Sequence, residues 1–179
     1  MKKTLLILFS VLTISNVFSQ DVDDKFRVHS LSLGIGAPRS SKISLGLGAN
    51  MDLAFSKGKH LFKFMAGGAS ELSFNLFGNK NIRDSFEEYS IMYGRAFEVK
   101  KWLSFDFFGG IGYANIKYNL DTSNGFDDEF KSIKTVGFPL QLRIRFITSR
   151  LFSIGMEQNV NVNSISTLSR TGGFIQFSF

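Results

Sequence analysis

The chain has 179 residues, a formal net charge of +6, 21 Phe and 17 Gly against 2 Pro, and no Cys. That is one domain's worth of sequence. The lack of Cys excludes disulfides and lipid attachment through a lipobox, and so small and scattered a positive excess excludes a nucleic-acid surface. Mean hydropathy is near zero, yet so much Phe beside so much Gly is unusual for a water-soluble domain. It suits a barrel with lipid outside and small residues packed within.

The first element is a leader. Met1-Lys2-Lys3, an apolar stretch from Leu5 to about Ile14, and Val17-Phe18-Ser19 read as a signal peptide over residues 1–19, cleaved after Ser19. Asn16 and Gln20 cut the stretch short of the about 20 apolar residues that a membrane anchor needs. Loss of Lys2 and Lys3 would lower the charge from +6 to +4. Residues 20–27 would then form a periplasmic N-terminal segment ahead of a barrel over 28–179. No later segment offers the about 18 consecutive apolar residues of a helical span.

Strict alternation then predicts eight strands. Strand one, about Val28 to Gly36, sets Leu31, Leu33 and Ile35 against Ser30, Ser32 and Gly34. Strand two sets Ile43, Leu45, Leu47, Met51, Leu53 and Phe55 against Ser44, Gly46, Gly48, Asn50 and Asp52. In strand three Phe62, Phe64, Ala66, Leu72, Phe74 and Leu76 oppose Lys63, Met65, Gly67, Glu71, Ser73 and Asn75. In strand four Tyr89, Ile91, Tyr93 and Phe97 oppose Ser90, Gly94, Ala96 and Glu98.

The second half repeats the design. Leu103, Phe105, Phe107, Ile111 and Tyr113 oppose Ser104, Asp106, Gly110, Gly112 and Ala114. Val136, Phe138, Leu140, Leu142, Ile144 and Phe146 oppose Thr135, Gln141, Arg143 and Arg145. Phe152, Ile154, Met156, Val160 and Val162 oppose Ser153, Gly155, Glu157, Asn159 and Asn161. The eighth strand is about Gly172 to Phe179. Connections 56–60, 99–101 and 147–150 are tight, whereas 37–42, 78–88, 119–131 and 163–170 are longer and polar. Short turns at one end and long loops at the other are the arrangement of a transmembrane barrel, with the turns and both termini periplasmic. A soluble lipocalin-like carrier would share the strand count. Its outward face, however, would be rich in Lys and Glu, and the face opposite the Phe/Leu/Ile stripe here is Gly, Ser, Ala and Asn.

Phe107 to Tyr118 (FFGGIGYANIKY) and Phe174 to Phe179 (FIQFSF) carry a resemblance to the small outer-membrane barrels, the OmpA- and OmpX-like family. The resemblance implies an all-β fold, an eight-stranded antiparallel up-and-down transmembrane β-barrel in a Gram-negative outer membrane. It implies a monomer surrounded by outer-membrane lipid and lipopolysaccharide. It also implies that the barrel-assembly machinery reads the terminal aromatic Phe179; unlike in the longer OmpA-type proteins, a peptidoglycan-binding domain after the barrel is not expected.

The chemistry is expected in the lumen. Asp52, Lys63, Glu98, Asp106, Arg143, Arg145 and Glu157 all share the inward face, each within a few residues of a tight turn. Lone charges in a narrow lumen are costly and a hydrogen-bonded network offsets much of that cost. The reading is therefore a charged plug that closes the interior, with a narrow, porin-like channel as its rival. A lipid A-modifying enzyme would need a hydroxyl activated by a base. His29 and His60 are the only histidines, and neither has a Ser and an acid at a suitable depth on the outer face. No catalytic residue, cofactor or metal site is expected. The acidic loop Asp121 to Glu129 departs from calcium-loop spacing, and the pairs Gly34/Gly36 and Gly46/Gly48 sit inside strands as space savers rather than phosphate loops. Tyr89, Trp102, Tyr113 and Phe152 fit interface girdles. Arg95 shares the lipid face with Tyr93 and Phe97, which requires either a position near the interface or a bulge at Gly94.

Overall fold

The computed structural model describes residues 25–40, 46–71, 85–120 and 129–179. The signal peptide, the far part of predicted strand three and nearly all of the acidic loop lie outside these residues. Eight strands form one closed barrel in sequence order: β1 (Arg27–Arg39), β2 (Gly46–Lys57), β3 (His60–Glu71), β4 (Ser85–Lys100), β5 (Leu103–Leu120), β6 (Glu129–Ile147), β7 (Phe152–Asn163) and β8 (Thr167–Ser178). Every neighbouring pair is antiparallel, and β1 closes the barrel on β8.

Closure carries a stagger. Following paired residues once around the wall, from Ile144 through Met156, Gly173, Ile35, Ala49, Gly68, Glu87 and Asn115, returns to β6 at Lys134, ten residues from the start. Such a shear tilts the strands by about 35–45° to the axis. Alternation along a strand therefore decides which face a residue takes, while the stagger decides its height.

The faces are inverted relative to a soluble protein. Leu33, Ile35, Phe64, Ile91, Phe107, Phe138, Leu140 and Met156 are exposed, whereas Asp52, Lys63, Arg143 and Glu157 are buried. An apolar surface that surrounds the whole wall far exceeds the few hundred Å² a soluble monomer exposes. The lipocalin-like alternative, which needs the opposite placement, is thereby excluded. Aromatic contacts cluster near the tight turns: Phe26 on Phe55, Phe62 on Tyr93, Trp102 on Phe146 and Phe152 on Phe177, with ring centroids 5.5, 5.6, 6.3 and 5.5 Å apart. They form an interface girdle at that end, here called the turn end.

Several boundaries differ from the sequence reading. The connection between β7 and β8, expected as a long loop over 163–170, is only residues 164–166. Asn163 makes this possible, its Oδ1 accepting the backbone N–H groups of Ile165 and Ser166 at 3.0 and 2.9 Å. The first half of β8 escaped notice because its outward residues, Thr167, Ser169 and Thr171, form no apolar stripe. Strand β4 begins at Ser85 rather than Tyr89, and β5 and β6 run on to Leu120 and back from Glu129. At the other end, residues 58–59 make the β2–β3 hairpin with Gly58 at φ 60°, the left-handed conformation that two-residue hairpins favour.

Arg95 also finds its place. The β4–β5 register runs unbroken through Gly94, so there is no bulge there; the irregularity lies between Glu98 and Lys100. The last β3–β4 rung is Leu61 with Gly94, which puts Arg95 just past the rim of β3, level with the 57–60 turn. That height is away from the midplane, where an outward arginine would cost about 2–4 kcal/mol.

Candidate functional site

Inward residues from opposite walls meet across the lumen. Arg143 on β6 is the hub and is almost wholly buried. Its Nε and Nη2 donate to Glu157 Oε2 on β7 at 2.9 and 2.7 Å, Nη2 also donates to Asp52 on β2, and Nη1 donates to Ser32 Oγ on β1 at 3.1 Å. The guanidinium carbon lies 4.3 Å from the centroid of the Phe174 ring. The planar fork of Arg suits such multiple pairing, which a Lys point charge could not reproduce.

Lys63 on β3 braces the same layer. Its Nζ donates to Gln141 on β6, lies 3.6 Å from Asp52 Oδ2, and sits 3.5 Å from the centroid of the Phe108 ring. Gln141 Nε2 in turn donates to Glu157 Oε2 at 3.2 Å. Nearer the turn end, Arg145 donates from Nε to Asp106 Oδ2 at 3.0 Å and from Nη2 to Ser104 Oγ at 3.3 Å. Ser104 Oγ donates to Asp106 Oδ1 at 2.7 Å. Glycine supplies the room: a Cβ on Gly34 would stand 2.6 Å from Glu157 Oε1, and one on Gly155 would meet the Phe174 ring at 2.7 Å.

Six of the seven charges predicted to face inward, Asp52, Lys63, Asp106, Arg143, Arg145 and Glu157, are buried together in this way. Glu98 is not: it is exposed. Beyond Gly94, β4 has no β3 neighbour, so an inward-facing position there no longer enters an enclosed space. Phe179 is exposed at the same end, and its N–H donates to the carbonyl of His29 at 3.0 Å.

Two buried charges were missed by the sequence reading, which had put both in loops. Glu88 on β4 accepts from Asn161 Nδ2 at 2.8 Å. Arg170 on β8 donates from Nη1 to the carbonyl of Ala49 at 3.3 Å, while Nη2 stands 3.8 Å from Glu157 Oε1. The signal that could have found them is parity: Glu88 and Arg170 continue the inward faces of Ser90 and Gly172. With them, the described buried charges are Lys63, Arg143, Arg145 and Arg170 against Asp52, Glu88, Asp106 and Glu157, four of each sign. Toward the loop end the lumen turns apolar, where Ala69, Phe86, Ile116 and Leu168 pack together with Tyr118 and Ile165.

Both histidines lie at the turn end. His60 Nδ1 lies 2.6 Å from Tyr93 Oη at the turn end, with the rings stacked, and His29 stands beside the β1 irregularity between Val28 and Ser30. Among the described residues no group of three or more His, Asp and Glu is placed to hold a metal ion.

A closed, staggered eight-stranded barrel with an apolar wall and a charged interior defines the class of small transmembrane barrels. No protein-family model matches the chain, and no curated protein matches it in sequence. Among solved structures it is similar to Neisserial surface protein A (7% identity, TM-score 0.68), over 87% of this chain and 99% of that one. It is similar to Ail, the attachment invasion locus protein of Yersinia pestis (14% identity, TM-score 0.60), over 85% and 98%. A third is the N-terminal barrel of Pseudomonas aeruginosa OprF (9% identity, TM-score 0.56), over 86% and 100%. These neighbours share the fold of this chain at very low identity.

Proposed function

We propose that the protein is an integral outer-membrane barrel with a sealed lumen and a structural or surface-interaction role, without catalytic activity. Its tight turns face the periplasm and its loop end faces the outside of the cell. The observation that carries this reading is the charge-balanced network around Arg143, which ties β6 to β1, β2 and β7 across the interior. An eight-stranded barrel is just wide enough for side chains to fill, and a conducting path would have to break these pairs. The apolar layer at the loop end supports the same reading, since it adds a second obstruction to ions.

Surface interaction is supported by the wall above the membrane. There β4, β5 and β6 turn Glu87, Asn115, Lys117, Ser132 and Lys134 outward, a polar face presented beyond the apolar band. The resemblance to Ail, whose name records attachment, favours the same role. The expected surroundings are outer-membrane lipid and lipopolysaccharide, with the barrel-assembly machinery acting during biogenesis through Phe179.

Fractionation and single-channel recording test the proposal. The protein should fractionate with the outer membrane, show heat-modifiable gel mobility, and give no steady conductance in planar bilayers. Recovery as a soluble periplasmic protein would overturn the location. A steady open channel in the wild type would overturn the sealed lumen in favour of transport.

A further inference from the structure

The outer wall carries a groove of about 500 Å³ that spans four strands. Its sides are Phe64 on β3, Tyr89 and Ile91 on β4, Ile111 and Tyr113 on β5, and Val136 on β6. Ala66 leaves it open, being a small outward residue paired directly with Tyr89, where a larger side chain would fill the space. Beneath it the wall is also less tightly tied, because the β5–β6 ladder is unpaired at Gly110 and Ile111 opposite Phe138 and Pro139. Proline offers no N–H to that ladder.

The groove ends where the wall changes character. Tyr89, Tyr113 and Val136 are its upper residues, and the next outward residues on those strands are Glu87, Asn115 and Lys134. Glu87 is held by Lys117, 3.5 Å from Nζ to Oε1, and by Asn115. Lys134, paired with Asn115, stands above the last β6–β7 rung at Gly137 and is exposed. The local balance is one net positive charge over an apolar, aromatic-sided slot at the membrane boundary. That combination matches an amphiphile with an acyl chain and an anionic headgroup.

We propose that this groove is a specific site for a phosphate-bearing lipid of the outer leaflet, a lipid A-type phosphoglycolipid. One acyl chain lies over Ala66, between Phe64 and Tyr89, and a phosphate meets Lys134. The inference rests on the membrane-spanning reading with the loop end outward, and it goes beyond a general lipid annulus by naming one position on the wall.

The test uses the full barrel folded in detergent, with heat-modifiable mobility confirming the fold of every variant. Native mass spectrometry then counts lipids retained after titration with lipid A, phosphatidylglycerol or phosphatidylethanolamine. One lipid A should persist per barrel at collision energies that strip the rest. Ala66→Trp, which fills the groove, should abolish that retention, and Met156→Trp on the opposite wall should not. Lys134→Gln should weaken retention about five-fold, the factor expected of one lysine beside an anionic lipid surface. Equal retention in Ala66→Trp and Met156→Trp, or phosphatidylethanolamine held as well as lipid A, would overturn the site. Loss of heat-modifiable mobility in the wild type would instead overturn the barrel reading on which it rests.

Discussion

The lumen has two polar layers built from the same residue types and satisfied to different degrees. In the central layer, Asp52, Lys63, Arg143 and Glu157 each meet opposite charge, and Gln141 links Lys63 to Glu157. In the layer toward the loops, Arg170 Nε and Nη2, Asn50 Oδ1, Asn159 Oδ1 and Ser90 Oγ are buried without a hydrogen-bond partner. The difference is one of register. The stagger brings β2, β6 and β7 together with complementary groups at the height of Arg143, whereas Arg170 packs over Gly48 and Gly67, which offer no side chain. The central layer locks the barrel across its diameter, and the upper layer has the polar, incompletely paired character at which internal water binds.

Truncating the two arginines to the same side chain breaks this comparison most sharply. Arg143→Met should cost about 3–5 kcal/mol, because it strands Asp52 and Glu157 in a buried site. Urea unfolding from lipid vesicles measures it. Leu168→Ala, in the apolar layer above, should cost about 2 kcal/mol, the low end for a buried leucine because the site lies near the open mouth. Arg170→Met should cost about 1–2 kcal/mol, since it removes one bond to a backbone carbonyl and a long ion pair with Glu157 but leaves Glu157 with Arg143 and Glu88 with Asn161. If Arg170→Met were as damaging as Arg143→Met, the two layers would be equally structural and the distinction would fail. Smallest of all, Lys117→Ala should change stability by less than about 1 kcal/mol, because its pair with Glu87 is half exposed.

Much of this architecture was legible as period-two alternation. The outward stripe of β6, from Val136 to Phe146, and the inward pair Arg143 and Arg145 follow from it directly. Alternation reports faces and not heights, however, and the misread residues are those where height mattered. Glu98 has the right parity and lies past the rim of β3. Arg170 and Glu88 have the right parity too, but they sit beside outward residues too polar to mark a strand. Glu157, on the neighbouring strand, was a partner of Arg143 that the sequence could suggest; Asp52 was out of reach, because it lies on the opposite wall and only closure of the barrel brings it near. The apolar layer around Leu168 and Phe86 was invisible for the same reason, being assembled from β3, β4, β5 and β8 at their loop ends.

A direct pair between Arg143 and Asp52 joins opposite walls of the barrel. A double-mutant cycle in lipid vesicles tests it, with Arg143→Met, Asp52→Leu and the combination compared by equilibrium unfolding. The double variant should recover part of the summed loss, a coupling of about 2 kcal/mol or more, within the range for residues in direct contact. Additive losses would contradict it, showing that the two side chains do not support one another across the barrel.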